Sequence, residues 1–267
     1  MRLKASLKIA LTSFMEAAAY RAYFIFTIMS NLFYMVIVYF LWKAIFSSVS
    51  TATINGMTFK QTFIYLALAG CVSSVLMTWT EWGMSRDMKN GNISLYFIRP
   101  IDYQVNVFSK SLGDIWTNFI IIFIPSFLVV LLFAGDEIKI GYNLIIFVIA
   151  FAIAALINLM FDFLIGLISF YTESIWGIST MKDTVILLLA GAIIPLQFFP
   201  QNIRKVVEML PFQAIYNLPL KILIEKSYTL EDYVMILLQQ LFWLAVLFII
   251  TRLCFKKAST AITINGG

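Results

Sequence analysis

The longest apolar stretch of this sequence is Ile140–Thr172, IGYNLIIFVIAFAIAALINLMFDFLIGLISFYT, in which Asp162 is the one charged residue. As a single helix the stretch would extend about 50 Å, at 1.5 Å per residue. A bilayer core is about 30 Å thick, so such a helix must tilt, overrun the membrane or break. The stretch therefore predicts a membrane-spanning helix over residues 140–171.

The composition of the whole chain agrees with that prediction. Its 267 residues are 61% hydrophobic and 12% charged, about half the charged fraction of a typical soluble domain. So few charged side chains cannot cover a water-facing surface. We therefore predict an all-α integral membrane protein with a single domain, residues 1–267.

Five further apolar segments complete a prediction of six transmembrane helices. Four contain uncharged runs of about 20 residues, the length that crosses a bilayer core as a helix. The segment 184–199 is shorter and contains Gly191 and Pro195, which indicates an unusual connection to the last span. The predicted spans are residues 22–46, 62–80, 112–135, 140–171, 184–199 and 233–255.

The N-terminal segment, residues 1–20, has its apolar residues at helical spacing and its lysines off that face. This pattern is typical of an amphipathic helix at the membrane surface. A cleaved signal peptide is the alternative, but Glu16 interrupts the apolar stretch and the next span is already full length. We predict an interfacial helix on the inner surface.

The distribution of lysine and arginine predicts the orientation. If both termini are inside, the cytoplasmic segments hold twelve of the 19 basic residues and the outer segments seven. Basic residues are enriched on the cytoplasmic side of membrane proteins. We therefore predict a multi-pass protein with both termini in the cytoplasm.

The residue types that are missing exclude several functions. The sequence has no histidine and two cysteines, both in apolar stretches, so it lacks a Ser-His-Asp triad and a four-ligand zinc site. No phosphate-binding loop of the form GxxxxGK[ST] occurs. The net charge of +5 comes without a dense basic tract, which suits anionic lipid better than nucleic acid. We predict neither enzymatic activity nor a metal or cofactor held by this chain.

The first predicted cytoplasmic loop, residues 81–111, alternates charged residues with apolar anchors. Asn90 and Gly91 indicate a turn, and Arg99 before Pro100 indicates a helix boundary. A solvated loop with a short interfacial helix is one interpretation. Exposed aromatic residues beside charges favour the other, a docking element for a cytoplasmic protein.

The segment before the last span is rich in proline. Four of the six prolines fall in residues 193–232, and two short apolar stripes in this region are too short and too charged to span a membrane. A small extracellular subdomain is possible on this pattern. We predict a re-entrant outer helical hairpin over residues 200–232, with its turns marked by Pro195, Pro200 and Pro211.

Two polar residues, Asn158 and Asp162, lie one helical turn apart within the span 140–171. A carboxylate near the centre of a transmembrane helix costs about 2.5–3.5 kcal/mol, so it faces protein or water. If the helix begins near Ile140, Asp162 lies about 33 Å along it, near the inner headgroups. A structural role and a role in the transport pathway both remain open.

Six motifs occur in an order that resembles the permease subunit of type-2 ABC transporters, in the branch labelled ABC-type uncharacterised transport system permease. They are AYRAYF at 19–24, DMKNGNISLYFIRPIDY at 87–103, YTESIWGISTMKD at 171–183, GAIIPLQFFP at 191–200, LPF at 210–212 and ITINGG at 262–267.

The resemblance implies a subunit of an ATP-driven exporter in the bacterial plasma membrane. Efflux of a drug, peptide antibiotic or lipid-like compound would occur by alternating access. Two copies of a cytoplasmic ATPase would supply ATP and Mg chemistry, and a second permease, related or identical, would complete the pathway. A secondary transporter, a membrane-embedded enzyme and a non-transporting immunity or sensor protein on the same fold are the alternatives.

The resemblance also assigns residues to roles. The ATPase-coupling positions that it implies are Arg86, Asp87, Asn90, Gly91, Tyr96, Arg99 and Pro100. A secondary cytoplasmic contact is implied at Glu173, Trp176, Lys182 and Asp183.

Overall fold

A computed structural model describes residues 8–12, 14–16, 21–49, 51–97, 101–138 and 140–259. Residues 8–12 and 14–16 are helical, and the rest of the predicted interfacial helix 1–20 lies outside the described residues. The following helices are α1 (Arg21–Ser47), α2 (Phe59–Leu76), α3 (Thr80–Lys89), α4 (Ile93–Phe97), α5 (Tyr103–Asn118), α6 (Ile124–Ala134), α7 (Asn143–Ile168), α8 (Trp176–Leu189), α9 (Gln201–Val207), α10 (Asn217–Ile224) and α11 (Leu230–Ser259).

The remaining regular elements are short. A π-helical turn at Phe119–Phe123 joins α5 to α6, and 3-10 turns occupy Gly135–Glu137, Leu196–Phe198 and Pro211–Ala214. The strands β1 (Thr53–Ile54) and β2 (Met57–Thr58) form an antiparallel hairpin between α1 and α2. Its two turn residues, Asn55 and Gly56, both have positive φ, as a tight two-residue hairpin requires.

Within the described residues, five helical segments are long and apolar enough to cross a membrane, which confirms the prediction of an all-α membrane protein. Each overlaps a predicted span; four extend beyond the predicted bounds, whereas Asn143–Ile168 is shorter than the predicted span 140–171. The segments are Ala22–Ser47, Phe59–Lys89, Tyr103–Glu137, Asn143–Ile168 and Leu230–Ser259.

The predicted span 184–199 is not a continuous helix. Its helix, α8, has 14 residues and ends at Leu189. Gly191 follows with a φ of 79°, and an added Cβ there would lie 2.9 Å from the Tyr65 hydroxyl. The left-handed backbone and this close approach both require glycine, so the chain turns where a sixth regular helix was expected.

The centre of the bundle is α7, which packs against α11, α3 and α10. Ala150 and Ala154 are fully buried on α7, and such small residues let neighbouring helices approach closely. Phe151 extends this face, and its ring lies 4.7 Å from that of Phe119 and 6.2 Å from that of Phe147, centroid to centroid. The apolar stretch Ile140–Thr172 therefore forms the core of the bundle.

The predicted span 62–80 is interrupted near its C-terminal end. A capping box between Thr58 and Gln61 begins α2. The helix ends at Leu76, and the three residues Met77–Trp79 separate it from α3. Asn158 of α7 donates from Nδ2 to the Leu76 carbonyl oxygen at 3.2 Å. This bond satisfies one of the carbonyl groups that the break leaves without a helical partner.

The predicted first cytoplasmic loop contains a compact helical hairpin, α3 and α4. Gly91, with a φ of 68°, lies in the turn between them. Met84 of α3 and Ile93 of α4 are buried in a second apolar cluster, together with Tyr103, Phe163, Leu167 and Ala258. Because these four residues belong to α5, α7 and α11, the hairpin is attached to the bundle rather than free in solvent.

Gly166 of α7 sets the distance between α7 and α3. A Cβ at this position would lie 2.4 Å from the sulfur and 3.2 Å from the Cβ of Met84. Since real Cβ atoms do not approach so closely, a larger residue at 166 must displace Met84.

We predict that Gly166→Ala lowers the free energy of unfolding by about 1–2 kcal/mol, because overpacking forces Met84 from its position. Gly83→Ala on α3 is the matched control, since an added Cβ there meets no atom within 4 Å and alanine favours a helix. Reversible unfolding in mixed micelles measures both variants. Equal stability of the two would contradict the tight contact between α3 and α7.

Candidate functional site

A buried ion-pair cluster joins α3, α7 and α8. Lys182 of α8 places its Nζ 3.1 Å from Glu81 Oε1 of α3 and 2.5 Å from Asp162 Oδ1 of α7. The side chain of Lys182 is 9% exposed, and those of Glu81 and Asp162 are each 2% exposed. Lys182 also contacts Asp183, whose side chain is 55% exposed. One ammonium group therefore holds carboxylates of two other helices.

Neutral donors complete the cluster. The hydroxyl of Thr78 donates to Asp162 Oδ2 at 2.8 Å, and Asn158 Nδ2 lies 3.2 Å from the same oxygen. The hydroxyl of Ser179, one turn before Lys182 on α8, donates to Glu81 Oε1 at 2.8 Å. Buried charges are tolerated only when paired and hydrogen-bonded, and each of these contacts lowers that cost.

A chain of hydroxyl groups extends from the cluster to α5. Thr78 and Thr80 place their Oγ1 atoms 2.9 Å apart, and Thr80 Oγ1 lies 2.7 Å from Ser111 Oγ. Thr80 and Ser111 are both buried. The break between α2 and α3 is therefore bonded to α5 and α7 by side chains, which fixes its position in the bundle.

The cluster lines a cavity of about 140 Å³. Its wall combines the four charged residues with the aromatic side chains of Trp79, Trp82 and Tyr216. Met77 and Trp79, in the break, are 65% and 64% exposed. The site is thus a partly open chamber beside the interrupted helix, with a charged side and an aromatic side.

The structure separates the sequence-predicted site residues into three groups. Arg86, Asn90 and Gly91 are exposed on the α3–α4 hairpin, while Asp87 and Tyr96 are half-buried. Arg99 and Pro100 lie outside the described residues. The hairpin therefore presents a polar surface at its tip, and Asp87 and Tyr96 lie closer to the bundle.

Lys182 is less accessible than the other residues of its predicted group. It was predicted at a secondary cytoplasmic contact, yet its ammonium group is buried against Glu81 and Asp162. The attraction of two carboxylates in a poorly solvated site outweighs the hydration of a surface lysine. Glu173 and Trp176 are exposed, so they differ from Lys182 in accessibility.

Sequence reasoning missed three members of the cluster, Glu81, Thr78 and Ser179. Glu81 was placed only as the first residue of a loop. In the sequence, Glu81 is a carboxylate beside Trp82 at the end of an apolar run. At such a position the sequence does not distinguish a solvated carboxylate from a buried one. The partner of Glu81 is Lys182 of α8, about 100 residues further along the chain.

The segment before α11 is bonded to the other end of the bundle. Gln240 of α11 donates from Nε2 to the carbonyl oxygens of Ala150, at 3.1 Å, and Ala214, at 2.8 Å. Asn143, at the start of α7, donates to the Ile222 carbonyl oxygen at 3.3 Å. Pro200 lies directly before α9, and Pro195 and Pro211 border 3-10 turns.

Comparison with known families identifies the type of protein. A family model described as an ABC-2 family transporter protein matches residues 32–266. No curated protein matches the chain. The matched region contains α2 to α11 and most of α1, and therefore every residue of the ion-pair cluster.

We predict that Lys182→Met lowers the free energy of unfolding by about 3–5 kcal/mol, because it leaves Glu81 and Asp162 buried without a counter-ion. The double variant Glu81→Gln with Lys182→Met recovers part of this loss. Arg252→Met is the control, since its pair with Asp102 is more than one third exposed and contributes about 1 kcal/mol or less. If both methionine variants lose the same stability, the cluster is not the strong interaction described.

Proposed function

This chain belongs to the ABC-2 family of transporter proteins, and we propose that it is the permease subunit of an ATP-driven exporter. In this role it moves a drug-like, peptide or lipid-like substrate outward across the bacterial plasma membrane. ATP hydrolysis takes place in a separate cytoplasmic ATPase, present in two copies, and a second permease forms the other half of the pathway.

The observation that carries the proposal is the anchoring of the α3–α4 hairpin. Its exposed tip includes Arg86, Lys89 and Asn90, while Met84 and Ile93 fix its inner face in the apolar cluster. Glu81 in the first turn of α3 is tied to Lys182. A partner that moves the tip must therefore also move the ion-pair cluster.

Alternating access follows from this connection. ATP binding brings the two ATPases together, and the hairpin moves with the ATPase on which it docks. Glu81 then pulls on α8 through Lys182, and Asp162 passes the displacement to α7. Packed helices change between discrete arrangements rather than deforming continuously. In this mechanism, the break at Met77–Trp79 lets α3 turn without requiring α2 to bend.

Six membrane crossings are consistent with the contacts of residues 176–199. Ser179 meets Glu81, beyond the C-terminal end of α2. The Phe198 ring lies 5.0 Å from that of Trp42, and Phe46 of the same helix packs on Phe59 at the start of α2. The segment thus extends from one end of α2 to the other. We propose that it crosses the bilayer as α8 followed by irregular chain.

The contacts of Ala214 and Gln240 support a re-entrant hairpin over residues 200–232. Ala214 bonds to Gln240, which lies ten residues into α11, or about 15 Å along it. Gln240 also bonds to Ala150, about 10 Å along α7. Because α7 and α11 both start at the outer end in this topology, Ala214 reaches about 10–15 Å inward and the hairpin closes the outer end of the pathway.

Charge reversal at the hairpin tip tests ATPase docking. We predict that Arg86→Glu reduces co-purification of the partner ATPase and substrate-stimulated ATP hydrolysis at least tenfold, because like charges oppose docking. Lys205→Glu is the matched control, an equivalent reversal of an exposed charge on α9 at the other end of the bundle. Normal co-purification with Arg86→Glu would show that the tip does not bind the ATPase.

Cysteine labelling tests the topology. In a background with Cys71→Ala and Cys254→Ser, we predict that Lys205→Cys reacts in intact cells with a membrane-impermeant maleimide. Lys89→Cys and Lys256→Cys should react only after the cells are opened. Labelling of Lys256→Cys from outside, while residue 89 stays inside, would exclude six crossings. Residues 89 and 256 would then be separated by an odd number of spans, whereas the six-span topology places an even number between them.

A further inference from the structure

The cavity at the break between α2 and α3 has an excess of negative charge. Glu81, Asp162 and Asp183 line it, and Lys182 is the one cation among its lining residues. Glu81 and Asp162 are buried against this one ammonium group, which leaves one negative charge uncompensated in the buried part of the wall, and the exposed Asp183 adds a further carboxylate. Burial makes such an excess costly unless a further cation approaches, so the cavity attracts positively charged groups.

Glu81 has one carboxylate oxygen without a donor. Oε1 accepts from Ser179 and Lys182, whereas Oε2 is fully buried and receives no hydrogen bond from any residue that the structure describes. Leaving a buried charged acceptor unpaired costs free energy. A ligand with a hydrogen-bond donor would remove that cost, and a hydroxyl group can donate to a carboxylate as well as an ammonium group can. Only the ammonium group also brings a positive charge to the excess of carboxylates.

The rest of the wall is suited to an apolar body attached to that donor. Trp79, Trp82 and Tyr216 provide aromatic surface, and Leu76 and Ile186 provide aliphatic surface. Aromatic faces attract ammonium groups and also pack against apolar parts of a ligand. A volume of about 140 Å³ exceeds the 10–15 Å³ or so that one water needs, so it can hold an organic headgroup.

We propose that this cavity binds the protonated amino group of amphiphilic amines, with the ammonium group donating to Glu81 and the apolar body against the tryptophans. Resting on the proposed function, this assignment makes such amines the class of substrate that the permease moves. The open side at Met77 and Trp79 gives the ligand its entry, and Lys182 keeps its own place on Glu81 Oε1 and Asp162 Oδ1.

A direct binding measurement tests this assignment. The full-length permease is placed in phosphatidylcholine nanodiscs, and equilibrium dialysis against radiolabelled 2-phenylethylammonium is corrected with empty nanodiscs. The neutral analogue 2-phenylethanol has the same ring and a similar size. We expect the ammonium compound to bind at least tenfold more tightly than the alcohol. Equal affinities would overturn the proposal, since they would show apolar partitioning without charge recognition.

Variants locate the bound ammonium group. We expect Glu81→Gln to weaken ammonium binding at least tenfold, while the exposed Glu231→Gln leaves it unchanged. If Glu81→Gln does not elute as a folded protein, Asp183→Asn is measured instead, with an expected loss of about threefold because solvent screens this exposed charge. Unchanged affinity in the folded variant would overturn the assignment.

ATPase co-purification, measured on the same preparations, separates this inference from the proposed function. Failure of the amine to bind, while the ATPase still co-purifies and responds to Arg86→Glu, overturns the substrate class alone. Amine binding without any ATPase association supports the cavity as an amine site and contradicts the role as an ABC permease.

Discussion

The pairing of Lys182 with Glu81 and Asp162 is the interaction on which the half of the bundle around α3 depends. Each of the three charges is expensive to bury alone, so the position of each helix depends on the charges of the other two as well as on apolar packing. The hairpin α3–α4, the central helix α7 and the short helix α8 therefore form one unit. An apolar interface of the same size would hold these helices together but would not fix their register as strictly.

The membrane class and the approximate spans were predictable because the length of an apolar run is compared with a fixed bilayer thickness. The break at Met77–Trp79 was not predictable in this way, since local composition there is nearly as apolar as in a continuous span. Its stability comes partly from Asn158, about 80 residues away. Likewise, Gly191 was visible in the sequence, but its close approach to Tyr65 depends on tertiary packing.

For the candidate site, single residues were easier to predict than their partners. Asp162 stood out because a lone carboxylate in an apolar helix needs an explanation. Lys182 lies in a polar segment of the sequence, so it was predicted at the surface. Only the fold brings them together with Glu81. The docking roles of Arg86, Asn90 and Gly91 rest on family resemblance, and their exposure is compatible with them.

The order of the cluster residues along the chain has a consequence for biosynthesis. Glu81 and Asp162 leave the ribosome before Lys182, which follows Asp162 by about 1–4 s at 5–20 residues per second. During that interval the two carboxylates repel each other, and α3 has no cation to hold it against α7. The ion pairs of the α3–α4 hairpin must therefore wait for α8, so a nascent chain that stalls before residue 182 would hold this hairpin by apolar contacts alone.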